Sequence, residues 1–445
     1  MKKKYFGTDG IRGAFGKFPI TNSFFFNLAI SIKKTHKNIK KIIIGKDTRK
    51  SCDDIEAAII LGFESEKVKC DSCGIVSTPN LSFNTRNFDY DLGIMISASH
   101  NSFSDNGIKI FKNNGEKLSD NDEIEIEKNL EFKDKKLSIK KNIKNNMIVI
   151  KNYEDELLKD FSRLNNFKQK IFIDCANGSL SKIAPRVLEK LNLNFIKYGC
   201  EPNGKNINYN CGAMYPKKLS INTLTSNSDI GISFDGDADR VLFCDETGKI
   251  IDGDYILAIL SKNLKSNKSL INNLVITTKM SNLGFRNFLE NNDINFMLCD
   301  VGDRYVIEKM RENKSIIGGE QSGHIILAEN SYCGDGLLTA LQILDILNER
   351  KFKLSQLCSN LFKKSPQKLV NIKLKKNPSH ILENSIIKNY LSKESVSKNC
   401  DVLLRKSGTE NLLRLMVQSP LKSEMEKTLE DLVNIINEID ENTKN

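Results

Sequence analysis

Apolar and polar positions alternate along this chain in two rhythms, one typical of strands and one typical of helices. Residues 41–45 and 92–97 are short apolar runs of the kind that form buried strands. Residues 24–33 and 53–64 place apolar side chains three and four positions apart, as a helix with one buried face requires. Because such strands and helices follow one another almost throughout, the sequence predicts an α/β fold with parallel or mixed sheets covered by helices.

The length of the chain predicts several domains. Its 445 residues exceed the ~100–200 residues of a usual domain, so three or four are expected. A Lys-rich passage near residues 134–147 and a polar break at 363–367 mark two boundaries. We expect three similar α/β domains and a smaller C-terminal α+β domain, at residues 1–150, 151–253, 254–366 and 367–445.

Composition argues against two classes of partner. The formal charge of +11 is spread through Lys- and Asn-rich segments without the interleaved aromatic residues that stack on bases, so we expect no nucleic acid. No apolar run approaches the ~18 residues that cross a bilayer, so we expect no membrane contact. Residues 7–10 are polar where a signal peptide would be apolar, which predicts a cytoplasmic protein.

Cysteine usage indicates reduced thiols. The eleven cysteines are an odd number in a long chain without a secretory signal, which argues against a disulfide framework. Cys70 and Cys73 form a lone CxxC, which can be a redox pair or half of a zinc site. Because there is no second CxxC and no nearby His, we interpret these two cysteines as packing residues.

The strongest chemical motif is DGDADR, in which three carboxylates follow an apolar strand at alternate positions. Asp235, Asp237 and Asp239 offer the oxygen ligands that a hard divalent cation prefers. Alternate residues of a straight strand stand ~7 Å apart, too far for all three to reach one ion. The segment must therefore curl into a tight loop, which Gly236 and Ala238 permit.

An EF-hand is the rival interpretation of this loop, and a solvated acidic loop is another. Glu246 completes the EF-hand spacing of acidic residues. However, Arg240 occupies the position that needs glycine, and an apolar run follows at residues 241–243. The pattern therefore favours a Mg²⁺ site with open positions for water or phosphate oxygens.

A candidate nucleophile lies in the segment ISASHNSFSDNGIK at residues 96–109. A strand ends there in a small polar turn that exposes Ser99 beside His100 and Asn101. This adjacent Ser–His pair is not a hydrolase triad, because neighbouring side chains on extended backbone point apart and the G-x-S-x-G pattern is absent. A purely structural turn remains the alternative.

Two further polar turns offer binding groups. Residues 318–324 read GGEQSGH, a set that suits sugar hydroxyl or amino groups, with a plain tight turn as the alternative. Residues 405–410 read RKSGTE, and with Arg414 they join guanidinium and hydroxyl groups to a glycine, as a phosphate dianion requires. The spacing of this second turn is not that of a Walker loop.

In their order and spacing, these four motifs resemble the α-D-phosphohexomutase superfamily. The opening YFGTDGIRG at residues 5–13 and GKDTR at residues 45–49 are similar to it as well. Gln321, the run VGDRY at residues 301–305 and residues 206–212 resemble the members that act on amino sugar phosphates. The resemblance runs from Tyr5 to the C-terminal helix and implies four domains around a central cleft.

The resemblance implies an isomerase that moves a phosphate between two positions of a hexose. Ser99 is then the phosphoserine, and Mg²⁺ is held by Asp235, Asp237, Asp239 and the phosphate on Ser99. Glucosamine 1,6-bisphosphate, or glucose 1,6-bisphosphate, is expected as intermediate or activator. The implied catalytic residues are Ser99, His100, Lys109 as the proton acceptor, Arg12 and Arg240. The implied substrate-binding residues are Glu320, Gln321, Ser322, His324, Arg405, Ser407, Gly408, Thr409 and Arg414.

The partner implied by the resemblance is an amino sugar phosphate on a route to cell-wall precursors, and the resemblance is compatible with a homodimer. Two alternatives stay open: a sister mutase for glucose or mannose phosphates, and a catalytically inactive sugar-phosphate-binding protein. Ser102, Cys52 and Lys406 depart from the usual pattern of the superfamily. None of them removes a reacting group.

Overall fold

The computed structural model describes residues 3–133, 137, 147–328, 333–375, 378–393, 396, 399–406 and 412–442. These residues form four sheets, and we call the parts of the chain that carry them units I to IV. The predicted α/β fold class is confirmed, because the first three sheets contain parallel strands joined by helices. None of the helices described combines the length and the apolar character that a membrane span needs.

Unit I is a five-stranded mixed sheet with helices packed against it. Its elements are β1 (Ile11–Ala14), α1 (Asn22–Thr35), β2 (Lys41–Lys46), α2 (Cys52–Ser65), β3 (Lys69–Ile75), α3 (Thr78–Asn87), β4 (Leu92–Ile96), β5 (Asp105–Lys112) and α4 (Asp120–Lys128). The strand order is β1-β5-β4-β2-β3, with β2 parallel to β3 and β4. β5 pairs antiparallel with β4, and the connection between these two strands carries Ser99.

Unit II repeats this plan. Its elements are α5 (Met147–Asp160), a 3₁₀ helix (Ser162–Asn166), β6 (Ile171–Asp174), α6 (Ile183–Lys190), β7 (Phe195–Tyr198), α7 (Pro216–Thr225), β8 (Ile230–Phe234), β9 (Val241–Asp245) and β10 (Ile250–Ile251). The strand order is β10-β9-β8-β6-β7. The aspartate loop, residues 235–240, joins the fully buried strands β8 and β9.

Unit III has a four-stranded sheet in the order β12-β11-β13-β14. Its elements are α8 (Gly253–Ser266), a 3₁₀ helix (Ile271–Asn273), β11 (Leu274–Thr278), α9 (Leu283–Asn291), β12 (Asn295–Cys299), α10 (Asp303–Glu312), β13 (Ile317–Gly319), β14 (Ile325–Leu327), α11 (Gly336–Arg350) and α12 (Leu354–Ser359). Asp335 caps α11 by accepting from Leu338 N at 3.0 Å. The apolar stripe predicted on this helix is confirmed, because Leu337, Leu341 and Leu344 are buried.

Unit IV is an antiparallel sheet in the order β15-β17-β16. Its elements are β15 (Gln367–Lys373), α13 (Pro378–Glu383), α14 (Ser385–Leu391), β16 (Asp401–Lys406), β17 (Leu412–Gln418) and α15 (Lys422–Asn442). The predicted helical face of Met425, Leu429, Leu432 and Ile436 is buried against this sheet.

The apolar cores join the units unequally. Units II and III share one continuous cluster, in which Phe234 of β8 and Leu341 of α11 are both members. Unit I and unit IV each have a separate main cluster. Because apolar burial is the main favourable term in folding, units II and III form one body, whereas polar contacts contribute more to holding units I and IV in place.

Helices α1 and α2 of unit I approach closely enough to require glycine at position 62. A Cβ there would lie 2.5 Å from Phe26 O and 2.7 Å from Ala29 Cβ. We expect Gly62→Val to lower the free energy of unfolding by ~2 kcal/mol or more, because overpacking forces the helices apart. Denaturant titration followed by circular dichroism measures this loss. The exposed Glu64→Val in the same helix is the control and should stay within ~0.5 kcal/mol of the parent protein; equal losses would contradict the packing argument.

Candidate active site

The turn after β4 and the loop after β8 meet at the centre of the molecule. Ser99 Oγ donates to Asp235 Oδ2 at 2.7 Å, across the boundary between units I and II. The predicted exposure of Ser99 is wrong, because the contact with unit II buries this residue completely. Ser99 has a φ of 50°, in the left-handed region that non-glycine residues rarely adopt. A nucleophile in such a conformation needs support from its surroundings.

Arg49 and Asn208 supply that support. The buried guanidinium of Arg49 donates to the carbonyl oxygens of Ser99 and Asn101 at 2.9 Å each, and Asp47 accepts from its Nε at 2.9 Å. From unit II, Asn208 Nδ2 donates to Ser99 O at 2.8 Å. Sequence reasoning gave Arg49 no role, although a charged residue three positions after the end of the buried strand β2 was an available signal.

The predicted metal ligands do come together. Asp235, Asp237 and Asp239 are buried, and they can offer ligand oxygens within 4.8 Å of one another. Ala238 makes the curl with a φ of 61°. Asp237 Oδ1 is buried without a hydrogen-bond partner among the described residues. An orphaned carboxylate oxygen within a triad of this size fits a divalent cation.

The EF-hand alternative is not supported. Glu246 would have to close that loop, but its carboxylate instead accepts hydrogen bonds from the Ser355 hydroxyl at 2.5 Å and from the Ser355 backbone. Cys70 and Cys73 are free thiols, and Cys73 packs in an apolar cluster of unit I. Among the described residues, the aspartate triad is the one group with metal-site spacing.

Cations from unit I compensate the charge of the triad. Lys109 is buried, and its Nζ lies 2.7 Å from both Asp237 Oδ2 and Asp239 Oδ2. Burial lowers the pKa of Lys109, but the carboxylates outweigh it and hold that pKa well above its usual range. In this arrangement Lys109 is a protonated donor, and its predicted role as a proton acceptor stays a prediction.

Arg12 and Arg240 lie beside the same carboxylates. Arg12 pairs with Asp9, and Arg240 Nε is 3.9 Å from Asp239 Oδ1. The buried Nε atoms of both arginines have no hydrogen-bond partner among the described residues. Such donors suit an anionic group that enters next to Ser99.

Two histidines complete the centre. His100 Nδ1 lies 3.3 Å from Ser99 Oγ, and burial together with Arg240 and Arg12 lowers the pKa of His100 to about 3. His324 Nδ1 is 3.7 Å from Asp239 Oδ1, and His324 Nε2 is 3.8 Å from Asp303 Oδ2. His100 is therefore a neutral ring beside the candidate nucleophile, and His324 connects units II and III.

A buried bridge between units I and III was not predicted. Lys117 forms ion pairs with Asp9 and with Asp303. Asp303 belongs to the VGDRY run, so this part of the sequence contributes to the charged centre. Nothing in the local sequence around Lys117 signals a partner in another unit.

The 318–324 turn connects β13 and β14. Glu320 Oε1 accepts from Gly302 N at 3.0 Å, which ties this turn to the start of α10. Ser322 is exposed. Gln321 Nε2 donates to Asp254 Oδ2 at 3.1 Å and to Gln367 Oε1 at 2.9 Å. The structure thus places Glu320 and His324 beside the charged centre, whereas the Gln321 side chain contacts the start of unit IV.

The two arginines of the candidate phosphate site are neighbours across strands β16 and β17. Arg405 and Arg414 are directly paired, and their buried Nε atoms have no hydrogen-bond partner among the described residues. Burial and the charge of Arg414 lower the pKa of Arg405. The predicted residues Ser407, Gly408 and Thr409 lie outside the described residues.

Family models cover almost the whole chain. The four domains of the phosphoglucomutase/phosphomannomutase family match in order: α/β/α domain I at residues 3–137, α/β/α domain II at 151–248, α/β/α domain III at 252–365 and the C-terminal domain at 369–435. The chain belongs to this family, the α-D-phosphohexomutase superfamily, and is an isomerase of the mutase type.

Individual relatives narrow the family. Phosphoglucosamine mutase of Buchnera aphidicola subsp. Baizongia pistaciae is 41% identical, over 98% of this chain and 97% of the relative. Phosphoglucosamine mutase of Staphylococcus aureus (strain JH9) is 38% identical, over 97% and 98%. The crystal structure of Aspergillus fumigatus N-acetylphosphoglucosamine mutase in complex with GlcNAc-6P and magnesium has the same fold, with a TM-score of 0.67, 16% identity and coverage of 99% and 96%. Within the superfamily, the chain groups with the phosphoglucosamine mutases.

Replacing Asp237 tests the metal site without an activity assay. We expect Asp237→Asn to weaken binding of Mg²⁺ or Mn²⁺ at least ~10-fold in calorimetry, because two carboxylates hold a reluctantly dehydrating ion poorly. The exposed Asp155→Asn in α5 is the matched control and should bind like the parent protein. Unchanged affinity in Asp237→Asn would remove the triad as the metal site.

Proposed function

We propose that this chain interconverts glucosamine 6-phosphate and glucosamine 1-phosphate with Ser99 as the phosphate carrier. The observation that carries the proposal is the 2.7 Å contact of Ser99 with Asp235, inside a buried triad ringed by Lys109, Arg12 and Arg240. The names of the relatives support the amino sugar as substrate. The reaction belongs in the cytoplasm, on a route to cell-wall precursors.

The transfer needs charge neutralisation and alignment more than covalent chemistry. Phosphoserine at position 99 gives its phosphoryl group to a free sugar hydroxyl: the bond from phosphorus to Ser99 Oγ breaks and a bond to the sugar oxygen forms. The hydroxyl proton leaves to a base near the turn, for which the neutral His100 is the candidate; Lys109 could accept it only after giving up its own proton. Ser99 Oγ keeps the electron pair of the broken bond and takes up a proton to become a hydroxyl again. Arg12 and Arg240 donate to the phosphoryl oxygens as charge builds up on them.

A divalent cation, Mg²⁺ in this proposal, would be held by Asp235, Asp237 and Asp239 and would neutralise further charge on the phosphoryl oxygens. Magnesium is named in the Aspergillus fumigatus complex, which supports this choice of ion. The compact, all-oxygen triad is the chemical reason to expect the same class of ion here.

The far end of the substrate has its own binding groups. Arg405 and Arg414, with Ser407, Gly408 and Thr409, would hold the phosphate that does not react. Glu320, Ser322 and His324 would bind the sugar. Glucosamine 1,6-bisphosphate, or glucose 1,6-bisphosphate as activator, turns over between the two transfers, so either phosphate can face Ser99.

Phosphate on Ser99 can be detected directly. We expect peptide mass spectrometry to find phosphate there in part of the purified protein, and Ser99→Ala to lose nearly all mutase activity while keeping the parent circular dichroism spectrum. Ser102→Ala, an exposed serine three residues on, is the matched control and should keep both activity and phosphate. Full activity in Ser99→Ala would exclude a phosphoserine mechanism at this site.

Substrate preference separates the proposal from its nearest rival. A site that hydrogen-bonds a particular polar group rejects an analogue lacking that group strongly, so kcat/KM for glucosamine 6-phosphate should exceed that for glucose 6-phosphate by at least ~10²-fold. A coupled assay over glucosamine, glucose and mannose phosphates measures the ratio. A better rate with glucose or mannose phosphate would identify the sister mutase, and no turnover at all would favour a sugar-phosphate-binding protein.

A further inference from the structure

The end of the unit IV sheet that faces unit III carries one row of polar side chains. Gln367 of β15, Gln418 of β17 and Asp401 of β16 occupy the same register position across the three strands. Gln418 is fully buried. Because all three strands of the sheet contribute to this row, one end of unit IV offers hydrogen-bonding groups at fixed positions.

This row contacts residues 280–286 of unit III, which include the first turn of α9. Gln418 Oε1 accepts from Leu283 N at 3.0 Å, and its Nε2 donates to Ser281 O at 3.1 Å. Asp401 Oδ2 accepts from Arg286 Nη1 at 2.7 Å. Because units III and IV have separate apolar clusters, these hydrogen bonds contribute strongly to fixing the angle between the two units.

Gln321 joins the row from the 318–324 turn. An amide nitrogen has two hydrogens to donate, and those of Gln321 are directed to Asp254 Oδ2 and Gln367 Oε1. Asp254 Oδ2 also accepts from Asn282 N at 2.9 Å. Asn282 in turn forms two hydrogen bonds with the Ser365 backbone, at 3.0 and 2.9 Å. Ser365 lies in the segment that connects units III and IV, so these bonds hold that segment against unit III.

A small rotation of unit IV about this row would produce a larger displacement at Arg405. Arg405 lies on the same strand as Asp401, four residues further along β16, or ~13 Å along extended backbone. A rotation of unit IV by ~10° about the row would shift Arg405 by ~2 Å. Displacements of ~1 Å are enough to impair binding and catalysis.

We propose that Gln321 is a positioning residue that sets the orientation of unit IV, and with it of Arg405 and Arg414, relative to Glu320. The proposal rests on the proposed function for its kinetic readout. It replaces the sequence-based interpretation of Gln321 as a sugar contact, because both amide hydrogens are engaged at the junction.

The test compares Gln321→Met with Gln367→Met, which removes the same hydrogen bond from the other side together with the bond from Gln367 Nε2 to Met280 O at 2.9 Å. Both variants should raise KM for glucosamine 6-phosphate ~10-fold, the scale of one lost hydrogen bond. Each should raise KM for glucose 6-phosphate by the same factor, so the substrate preference stays within ~2-fold of the parent protein. The double variant should raise KM by less than the product of the two single effects, as expected for two residues that share one hydrogen bond. Gln169→Met, a glutamine that donates to Phe352 O in another part of the chain, is the matched control.

A second readout is independent of catalysis. Backbone amide hydrogens at residues 281–283 should exchange faster in both Gln321→Met and Gln367→Met than in the parent protein. The Mg²⁺ affinity and the unfolding midpoint of both variants should equal those of the parent protein. If Gln321→Met instead narrows the amino-sugar preference and leaves exchange unchanged, Gln321 is a sugar contact and the positioning role is wrong. If the parent protein shows no mutase activity, the proposed function fails, and the exchange data alone decide the role of Gln321.

Discussion

Compensated buried charge at the centre of the molecule is the constraint on which its architecture depends. Asp235, Asp237 and Asp239 are almost completely shielded from water, and an isolated ionised carboxylate in such a place would cost many kcal/mol. Lys109 supplies the closest countercharge from another unit. The triad can therefore stay ionised only when units I and II are in contact. Burial, together with Asp239 and Asp237, raises the pKa of Asp235 to about 8, so a further cation beside this carboxyl group would favour its ionised form.

The same principle extends outward from the triad. Lys117 joins Asp9 to Asp303, and His324 lies between Asp239 and Asp303, so unit III enters the charged centre as well. Units II and III are joined in addition by a continuous apolar core. Unit IV differs, because an orderly row of amides and carboxylates holds it at one end. The arrangement combines a fixed centre with a separately oriented unit, which suits the proposed phosphoryl transfer and the proposed binding of the distant phosphate.

Local chemistry could be predicted from the sequence, whereas partnerships across units could not. The three aspartates lie within five consecutive residues, so their proximity could be predicted. The spacing of alternate residues in a straight strand also predicted that this segment curls, as it does at Ala238. Strands β2 and β4 and helices α1 and α2 follow from apolar periodicity. Strand β5 was missed, since its sequence DNGIKIFK mixes Gly, Asn and Lys with the apolar residues that pair with β4. Because that strand positions Lys109, the contact of Lys109 with the triad could not be predicted.

Gln321 shows the same limit. Its hydrogen bond to Gln367 joins residues 46 positions apart, and no local sequence pattern encodes it.

The placement of Lys109 has a consequence for the order in which the protein can be made. The ribosome synthesises unit I first, so Lys109 is made when the sheet of unit I is almost complete. Its two partners, Asp237 and Asp239, lie more than a hundred residues further along the chain. Until they arrive, Asp9 of unit I, 3.2 Å from the ammonium nitrogen in the folded protein, is the carboxylate at hand, and water must hydrate the rest of the ammonium group. The charged centre therefore cannot be complete when unit I has folded. It has to wait for the loop after β8 and then for Asp303 and His324 of unit III, which follow later in the chain.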